Sequence, residues 1–243
     1  MSFSTQVKDD LTRVISSKPC CRKAEFIAFF LINGNIRIGN GRRISFFMQT
    51  EHSASVRKMF TLARDFDLER EITVHRRTQL HKNQVFTLNV PPQEQLGHFL
   101  QELGMVDESG SLRIAFPEQI REQVLAASCC RRAYLRGAFL ASGSISEPEG
   151  AYHLEFSSLE RPQADLLIEL LADFGLKGKI VRRKDLEIVY LKGAEEISQL
   201  LNIMGSHRSL LEFESIRVTK EVRNQVNRQR NCDTANINKV VNA

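Results

Sequence analysis

Two stretches of this chain read CCRKAEFIAFFLINGNI (residues 20–36) and CCRRAYLRGAFLASGSI (residues 129–145). They align without a gap, and eight of the seventeen aligned residues are identical, whereas unrelated segments of ordinary composition would share about one. The chain therefore contains an internal duplication. It predicts two modules related by a pseudo-two-fold axis.

The composition is that of a globular protein with a modest excess of positive charge. Lysines and arginines number 34 against 29 acidic residues, a balance that fits a nucleic-acid partner without requiring one. No segment approaches the roughly 18 apolar residues of a membrane span, and Lys8, Asp9 and Asp10 lie where a signal peptide would be apolar. We expect a cytoplasmic protein without a membrane partner.

Period-two alternation after each repeated helix predicts strands. Ile44, Phe46 and Met48 share one face of the first copy, and Tyr152, Leu154 and Phe156 share the corresponding face of the second. Helical patterns separate the strand pairs, so each copy is predicted to have the order αββαββα. The expected fold class is α+β, with two antiparallel sheets, each covered by helices on one side and solvated on the other.

Further helices are predicted outside the two copies. The copies span about residues 20–105 and 129–205, an N-terminal helix is expected near residues 5–15, and a connecting helix near residues 117–127. After residue 206 the chain is basic and lacks a strong apolar stripe. This helical tail is expected either to dock on the body or to lead to another domain.

Small residues recur at every fourth position of the repeated helices. They give each helix a flat face, on which two helices can approach more closely than the usual 8–10 Å. We predict that the two helices pack against each other and join the copies. The residues of this predicted joint are Ala24, Ala28, Ala133, Gly137 and Ala141.

Four of the five cysteines form two vicinal pairs, at the start of each repeated helix. The odd count in a long chain argues against a disulfide framework. Neither pair has the C-x2-C spacing that favours tetrahedral zinc. We expect reduced thiols that line the core, and no metal.

Residues 135–143 and, more distantly, residues 26–34 resemble the LAGLIDADG motif of homing endonucleases. The resemblance implies that the helix pair is a domain interface and that the sheets form a DNA-binding saddle. In that family the penultimate residue of each motif is an acid that holds divalent metals, whereas this chain has Asn33 and Ser142. Hydrolysis by hard cations needs anionic oxygen ligands, so we expect no catalysis and no cofactor. A metal-dependent endonuclease using Glu147 is the alternative.

A second resemblance, to the WhiA family, covers the whole chain. It rests on MSFS at 1–4, CCRKA at 20–24, RGAFLASGSI at 136–145 and above all NRQRNCDTAN at 227–236. Members of that family resemble a degenerate LAGLIDADG domain followed by a helix-turn-helix, and they are bacterial transcription regulators linked to sporulation, cell division and chromosome segregation. The resemblance implies a nucleoid-associated regulator whose partner is double-stranded DNA, with the transcription machinery or another regulator as a further partner.

The resemblance also implies a division into three segments. These are residues 1–110, the first repeat with its leading helix; residues 111–206, the second repeat; and residues 207–243, a basic linker to a helix-turn-helix that is absent from this chain. The linker motif is represented by Asn227, Arg228, Asn231 and Cys232.

The outward faces of the two predicted sheets supply the expected DNA contacts. Cations there would neutralise phosphates and release counterions, although Glu71, Glu155 and Glu187 reduce the positive field. A protein-interaction platform without DNA contact is a third hypothesis. The cations assigned to these faces are Arg37, Arg43, His75, Arg77, Lys179 and Arg183.

Overall fold

The computed structural model describes residues 2–39, 43–76, 84–106, 122, 125–158 and 160–241. Within them the chain contains two αββαββα repeats, as predicted, between an N-terminal and a C-terminal helix. The first half comprises α1 (Phe3–Arg13), α2 (Pro19–Asn33), β1 (Gly34–Ile38), β2 (Ile44–Thr50), α3 (Ser53–Leu62), β3 (Glu71–Arg76), β4 (Gln84–Val90) and α4 (Glu94–Glu102). The second comprises α5 (Ser128–Ser142), β5 (Gly143–Ile145), β6 (Leu154–Ser158), α6 (Arg161–Asp173), β7 (Lys179–Arg183), β8 (Leu186–Leu191), α7 (Ala194–Met204) and α8 (His207–Val241).

Each repeat forms one four-stranded antiparallel sheet. The strand orders, β1-β2-β4-β3 and β5-β6-β8-β7, are the same in both repeats. Residues that pair across strands share a face, so the pairs Met48–Leu88 and Phe156–Val189, all buried, define the helix-covered faces. The α+β fold and the predicted alternation are confirmed.

Each long helix passes directly into a strand at a glycine that both copies share. α2 runs into β1 at Gly34, and α5 runs into β5 at Gly143. A Cβ atom at Gly34 would lie 2.6 Å from Cδ2 of Phe30, and one at Gly143 would lie 2.3 Å from Cδ2 of Phe139. Both glycines therefore allow the strand to begin against an aromatic ring of the preceding helix turn.

The N-terminal helix begins two residues earlier than the predicted residues 5–15. Ser2 is the N-cap, and its Oγ accepts a hydrogen bond from the Thr5 N–H at 3.2 Å, which satisfies an otherwise unpaired amide. Phe3, Val7 and Leu11 recur at helical spacing and are fully buried. The predicted connecting helix at 117–127 lies mostly outside the described residues.

The C-terminal tail is helical, as predicted, and its first turns dock on the body. Phe213 is 1% exposed, and its ring lies 6.1 Å from that of Phe3 and 5.5 Å from that of Tyr152. Farther along α8, residues 221–234 are all exposed. In the part of the chain that the structure describes, no helix is both long and apolar enough to cross a membrane.

Candidate nucleic-acid interface

The joint between the repeats is the close crossing of α2 and α5. Ala24 and Ala133 are buried together between the helices, and Gly137 lies directly against the backbone of α2. A Cβ atom at Gly137 would lie 2.2 Å from the carbonyl oxygen of Glu25 and 3.0 Å from Cβ of Ala28. Four of the five small residues therefore lie where the helices meet, while the fifth, Ala141, borders a concavity at the helix ends.

A buried ionic network crosses this joint, and no pattern in the sequence predicted it. The carboxylate of Glu25 lies 3.0 Å from Nε of Arg136 and 2.5 Å from Nζ of Lys58. Arg136 also donates to the carbonyl oxygen of Met204 at 2.9 Å, and Lys58 donates to that of Leu11 at 2.8 Å. The only sequence signal was a charge within each apolar helix, at positions where the other copy has Tyr134 and Ile27.

Burial sets the protonation of Lys58. It lowers the pKa of Lys58 from 10.5 to about 8, while the charge of Glu25 partly opposes this effect. The ammonium group therefore remains protonated at neutral pH. In that form it donates hydrogen bonds to the carbonyl oxygens of Leu11 and Val14 at the end of α1 and forms an ion pair with Glu25.

The ends of the two long helices lack the paired carboxylates of a nuclease. Asn33 donates from Nδ2 to the carbonyl oxygen of Gln49 at 2.6 Å, and the buried Oγ of Ser142 has no hydrogen-bond partner among the described residues. Asn33 and Lys8 line the same concavity of about 830 Å³. Lys8 and Glu51 line it with opposite charges, and the residues described as lining it include no pair of carboxylates that could hold a divalent cation.

Glu147, the carboxylate of the endonuclease hypothesis, is engaged at the start of α1. Its Oε1 accepts a hydrogen bond from the backbone N–H of Phe3 at 2.9 Å. This position favours an acid, because the first amides of a helix lack intrahelical partners and carry partial positive charge. Among the described residues, no group of three or more carboxylates lies close enough to hold a metal ion.

The outward face of the first sheet combines cations with amide and hydroxyl groups. It borders a concavity of about 410 Å³. The guanidinium of Arg37 stacks on the ring of Phe47, 4.0 Å from its centroid, and the exposed His75 lies across the same concavity. Asn89 donates to Thr73 at 3.0 Å, so part of the polar surface is held in place by neighbouring strands.

Two cations assigned to the first sheet lie elsewhere or outside the described residues. Arg43 precedes β2 and borders a different concavity, together with Gln93 and Leu96 on the α4 side. Arg77 lies outside the described residues. The first sheet thus brings together Arg37 and His75, with Glu71 on the same face.

The outward face of the second sheet carries Lys179 and Arg183, both exposed. Lys179 pairs with Tyr190, and Glu155 pairs with the same tyrosine from the other side. Glu155 accepts a hydrogen bond from His153 at 2.9 Å if the imidazole carries its proton on Nε2.

Glu187 was counted among the acids of this face, and that assignment was wrong. Its partner in β6 is Ser158, two residues beyond the buried Phe156, so Glu187 points to the helix-covered side. The residues of the linker motif, Asn227, Arg228, Asn231 and Cys232, lie on the exposed part of α8.

The four vicinal cysteines come together at the starts of α2 and α5. Their Sγ atoms all lie within 4.8 Å of one another. Cys21 and Cys130 are buried, Cys129 is half-buried and Cys20 is exposed, and all are free thiols. Burial raises the pKa of the Cys130 thiol, whereas the hydrogen bond from Cys21 lowers the pKa of Cys129.

The tandem αββαββα repeats joined by a small-residue helix pair define a LAGLIDADG-type scaffold. The structure superposes on I-DmoI in complex with DNA and Mn with a TM-score of 0.54 at 12% identity, over 77% of this chain and 98% of that one. It superposes on full-length DUF199/WhiA from Thermatoga maritima with a TM-score of 0.73 at 22% identity, over 100% of this chain and 75% of that one.

The chain belongs to the WhiA family. The WhiA N-terminal LAGLIDADG-like domain matches residues 19–106, and the WhiA LAGLIDADG-like domain matches residues 131–223. The probable cell division protein WhiA of Desulforamulus reducens is 45% identical over 244 residues, which cover 100% of this chain and 75% of that protein. The resemblance found in the sequence is thereby confirmed.

Proposed function

We propose that this protein is a DNA-binding transcription regulator that acts in cell division and uses a nuclease scaffold that no longer cuts. The proposal rests on two features that occur together. Cations face outward on both sheets, and Asn33 and Ser142 occupy the positions at the ends of α2 and α5 where a LAGLIDADG nuclease has acids. A surface with phosphate-neutralising groups and without paired carboxylates is suited to hold a duplex. The name of the Desulforamulus relative supports the cell division role.

The distribution of charge supports binding with low sequence specificity. Arg37, Lys179 and Arg183 offer positive charges for phosphates, whereas side-chain amides of the kind that read base edges lie on the first sheet, at Gln49 and Asn89. Phosphate contacts set the position of a protein on DNA without reading its sequence. We assign sequence readout to a helix-turn-helix module, to which the exposed part of α8 would connect as a linker.

A salt titration tests the proposal. Fluorescence anisotropy of a labelled duplex is measured with the full chain at several salt concentrations. A triple variant, Arg37→Ala, Lys179→Ala and Arg183→Ala, should bind more weakly and reduce the slope of log K against log salt by up to about 3, since each phosphate contact contributes about 0.9. Absence of binding by the unaltered chain at low salt would overturn the proposal and favour a protein-interaction platform.

A charge-matched control separates location from total charge. Arg57, Arg64 and Lys177 are exposed cations on or next to the helices that cover the sheets. Replacing these three by alanine removes the same charge, but it should leave the slope close to that of the unaltered protein. Equal losses in the two triple variants would show that binding follows net charge alone.

The enzyme hypothesis has its own test. We expect no nicking of supercoiled plasmid with Mg²⁺ or Mn²⁺, because one polar amide and one hydroxyl cannot replace two carboxylates as ligands of hard cations. Nicking that Glu147→Gln abolishes would identify an endonuclease instead.

A further inference from the structure

Each vicinal cysteine pair looks unsuited to a metal when it is considered alone, but the helix crossing combines the two pairs. Cys20 and Cys21 lie in the first turn of α2, and Cys129 and Cys130 lie at the equivalent positions of α5. The pseudo-two-fold axis of the joint places all four Sγ atoms within 4.8 Å of one another. The spacing argument against zinc therefore does not apply, because the ligands come from two helices.

The separation of the sulfurs matches a single tetrahedral ion. With Zn–S bonds of about 2.3 Å, four sulfurs at the corners of a tetrahedron lie about 3.8 Å apart. The observed upper limit of 4.8 Å exceeds this value by about one ångström, a difference that small side-chain rotations can remove. Two of the ligands, Cys21 and Cys130, are already fixed by burial between the helices.

Core packing alone does not account for the cluster. Cysteines that only fill a core behave as small apolar groups and are buried, whereas Cys20 is exposed and Cys129 is half-exposed. Positive charge near the site would also stabilise cysteine thiolates. Cys20 and Cys21 lie in the first turn of α2, where the helix dipole is positive, and Lys18 immediately precedes the helix.

We infer that Cys20, Cys21, Cys129 and Cys130 form a tetrathiolate site for one zinc ion, which links the two repeats at the start of their helix pair. The ion binds two ligands from each repeat, so it resists separation of α2 from α5. Closed sites of this composition are structural, because no coordination position is left for a substrate. The inference is independent of DNA binding.

Metal analysis of the full chain tests the inference. The protein is purified under reducing conditions without chelator, and its zinc content is measured by mass spectrometry. We expect one zinc ion per chain, and, after replacement by Co²⁺, the intense visible bands and thiolate-to-metal charge transfer of a tetrahedral tetrathiolate. Cys21→Ser and Cys129→Ser should lose both signals. Cys232→Ser is the matched control, since it removes the remaining thiol, on the exposed part of α8, and should change neither.

A second measurement tests the inference without the cysteine variants of the site, in case they do not fold. A thiol-compatible chelator should lower the midpoint of thermal unfolding of the unaltered protein and of Cys232→Ser by several degrees. An unaltered, reduced protein that takes up neither zinc nor Co²⁺ would overturn the inference. So would peptide mapping of anaerobically purified protein that finds disulfides between the two pairs, which would identify a redox cross-link instead.

Discussion

Arg136 donates a hydrogen bond to the carboxylate of Glu25 across the joint between the repeats, over 3.0 Å, and both side chains are buried. The contact joins a residue of the second copy to one of the first, and neither has a charged equivalent in the other copy. The duplicated helices have thus diverged into complementary partners. A complementary pair favours contact between the two different copies over self-association of either one.

Removal of one partner of this pair should be strongly destabilising. Arg136→Met leaves Glu25 in the interior with Lys58 as its remaining cation, so we expect a loss of about 3–5 kcal/mol in the free energy of unfolding. Urea denaturation measures the loss. In a cycle with Glu25→Met, the double variant should lose less than the sum of the two single variants. Arg132→Met, an exposed change on the same helix, is the control and should stay within about 0.5 kcal/mol.

Lys58 should make stability depend on alkaline pH. Its pKa is about 8 in the folded protein and about 10.5 in the unfolded chain, so between these values the unfolded chain holds the additional proton. The free-energy cost of burying the charged amine is fully present below pH 8 and disappears as the pH rises to 10.5. The free energy of unfolding should therefore increase across this window, by up to about 3 kcal/mol.

Comparison with Lys58→Met isolates this effect from other titrating groups. The variant should be less stable at pH 7, because Glu25 and the carbonyl oxygens of Leu11 and Val14 lose a donor. The difference in unfolding free energy between the two proteins should widen from pH 8 to 10.5. A difference that is constant with pH would contradict the assigned pKa.

The close approach of α2 and α5 can be tested at Gly137. A methyl group there would lie 2.2 Å from the backbone of Glu25, so Gly137→Ala must push the helices apart. We expect a loss of about 1–3 kcal/mol, the range typical of an overpacked core. Gly97→Ala on α4 is the matched control, because no described atom outside its own stretch of helix lies within 4 Å of the added group. This change should be neutral or stabilising by up to about 1 kcal/mol. Equal effects of Gly137→Ala and Gly97→Ala on the free energy of unfolding would refute the close contact assigned to Gly137.

The docked and exposed parts of α8 should respond differently to truncation of a side chain. Phe213→Ala creates a cavity among Phe3 and Tyr152, and we expect a loss of about 3–5 kcal/mol in the free energy of unfolding. Val222→Ala, 53% exposed, should change it by less than about 0.5 kcal/mol. Chemical denaturation followed by circular dichroism measures both. A large effect of Val222→Ala would indicate that a second molecule covers this part of the helix.

The sequence sufficed for the repeats and for the faces of most strands. Identity between the copies and period-two alternation can be read from short segments. In both sheets most of the apolar residues of that alternation are buried under the helices. The small residues were equally informative, because a flat helix face has few uses other than close packing. Glu187 was assigned to the wrong face of the sheet. The pairing of β8 with β6 decides to which face its side chain points, and the alternation of residues within β8 does not reveal that pairing.

The buried network and the cysteine cluster were beyond local reasoning. A charge on an apolar helix becomes interpretable only when its partner is known, and Glu25 and Arg136 are 111 residues apart. The two cysteine pairs are almost as far apart in the chain, so their spacing within each copy gave no indication of the combined site. The contact of Glu147 was equally inaccessible to local reasoning, since its partner Phe3 lies 144 residues away.

The Asp10 carboxylate accepts hydrogen bonds from Oγ of Ser206 and from the backbone of Ser209, at 2.8 and 3.1 Å. This contact attaches α8 to α1 at its base, and the helix stays docked as far as Lys220, which donates to the carbonyl oxygen of Gly150. Residues 221–241 then continue the helix for about 31 Å beyond the last of these contacts. A rotation of about 10° at Lys220 would displace the far end by roughly 5 Å, so small changes where the helix leaves the body are amplified at its end.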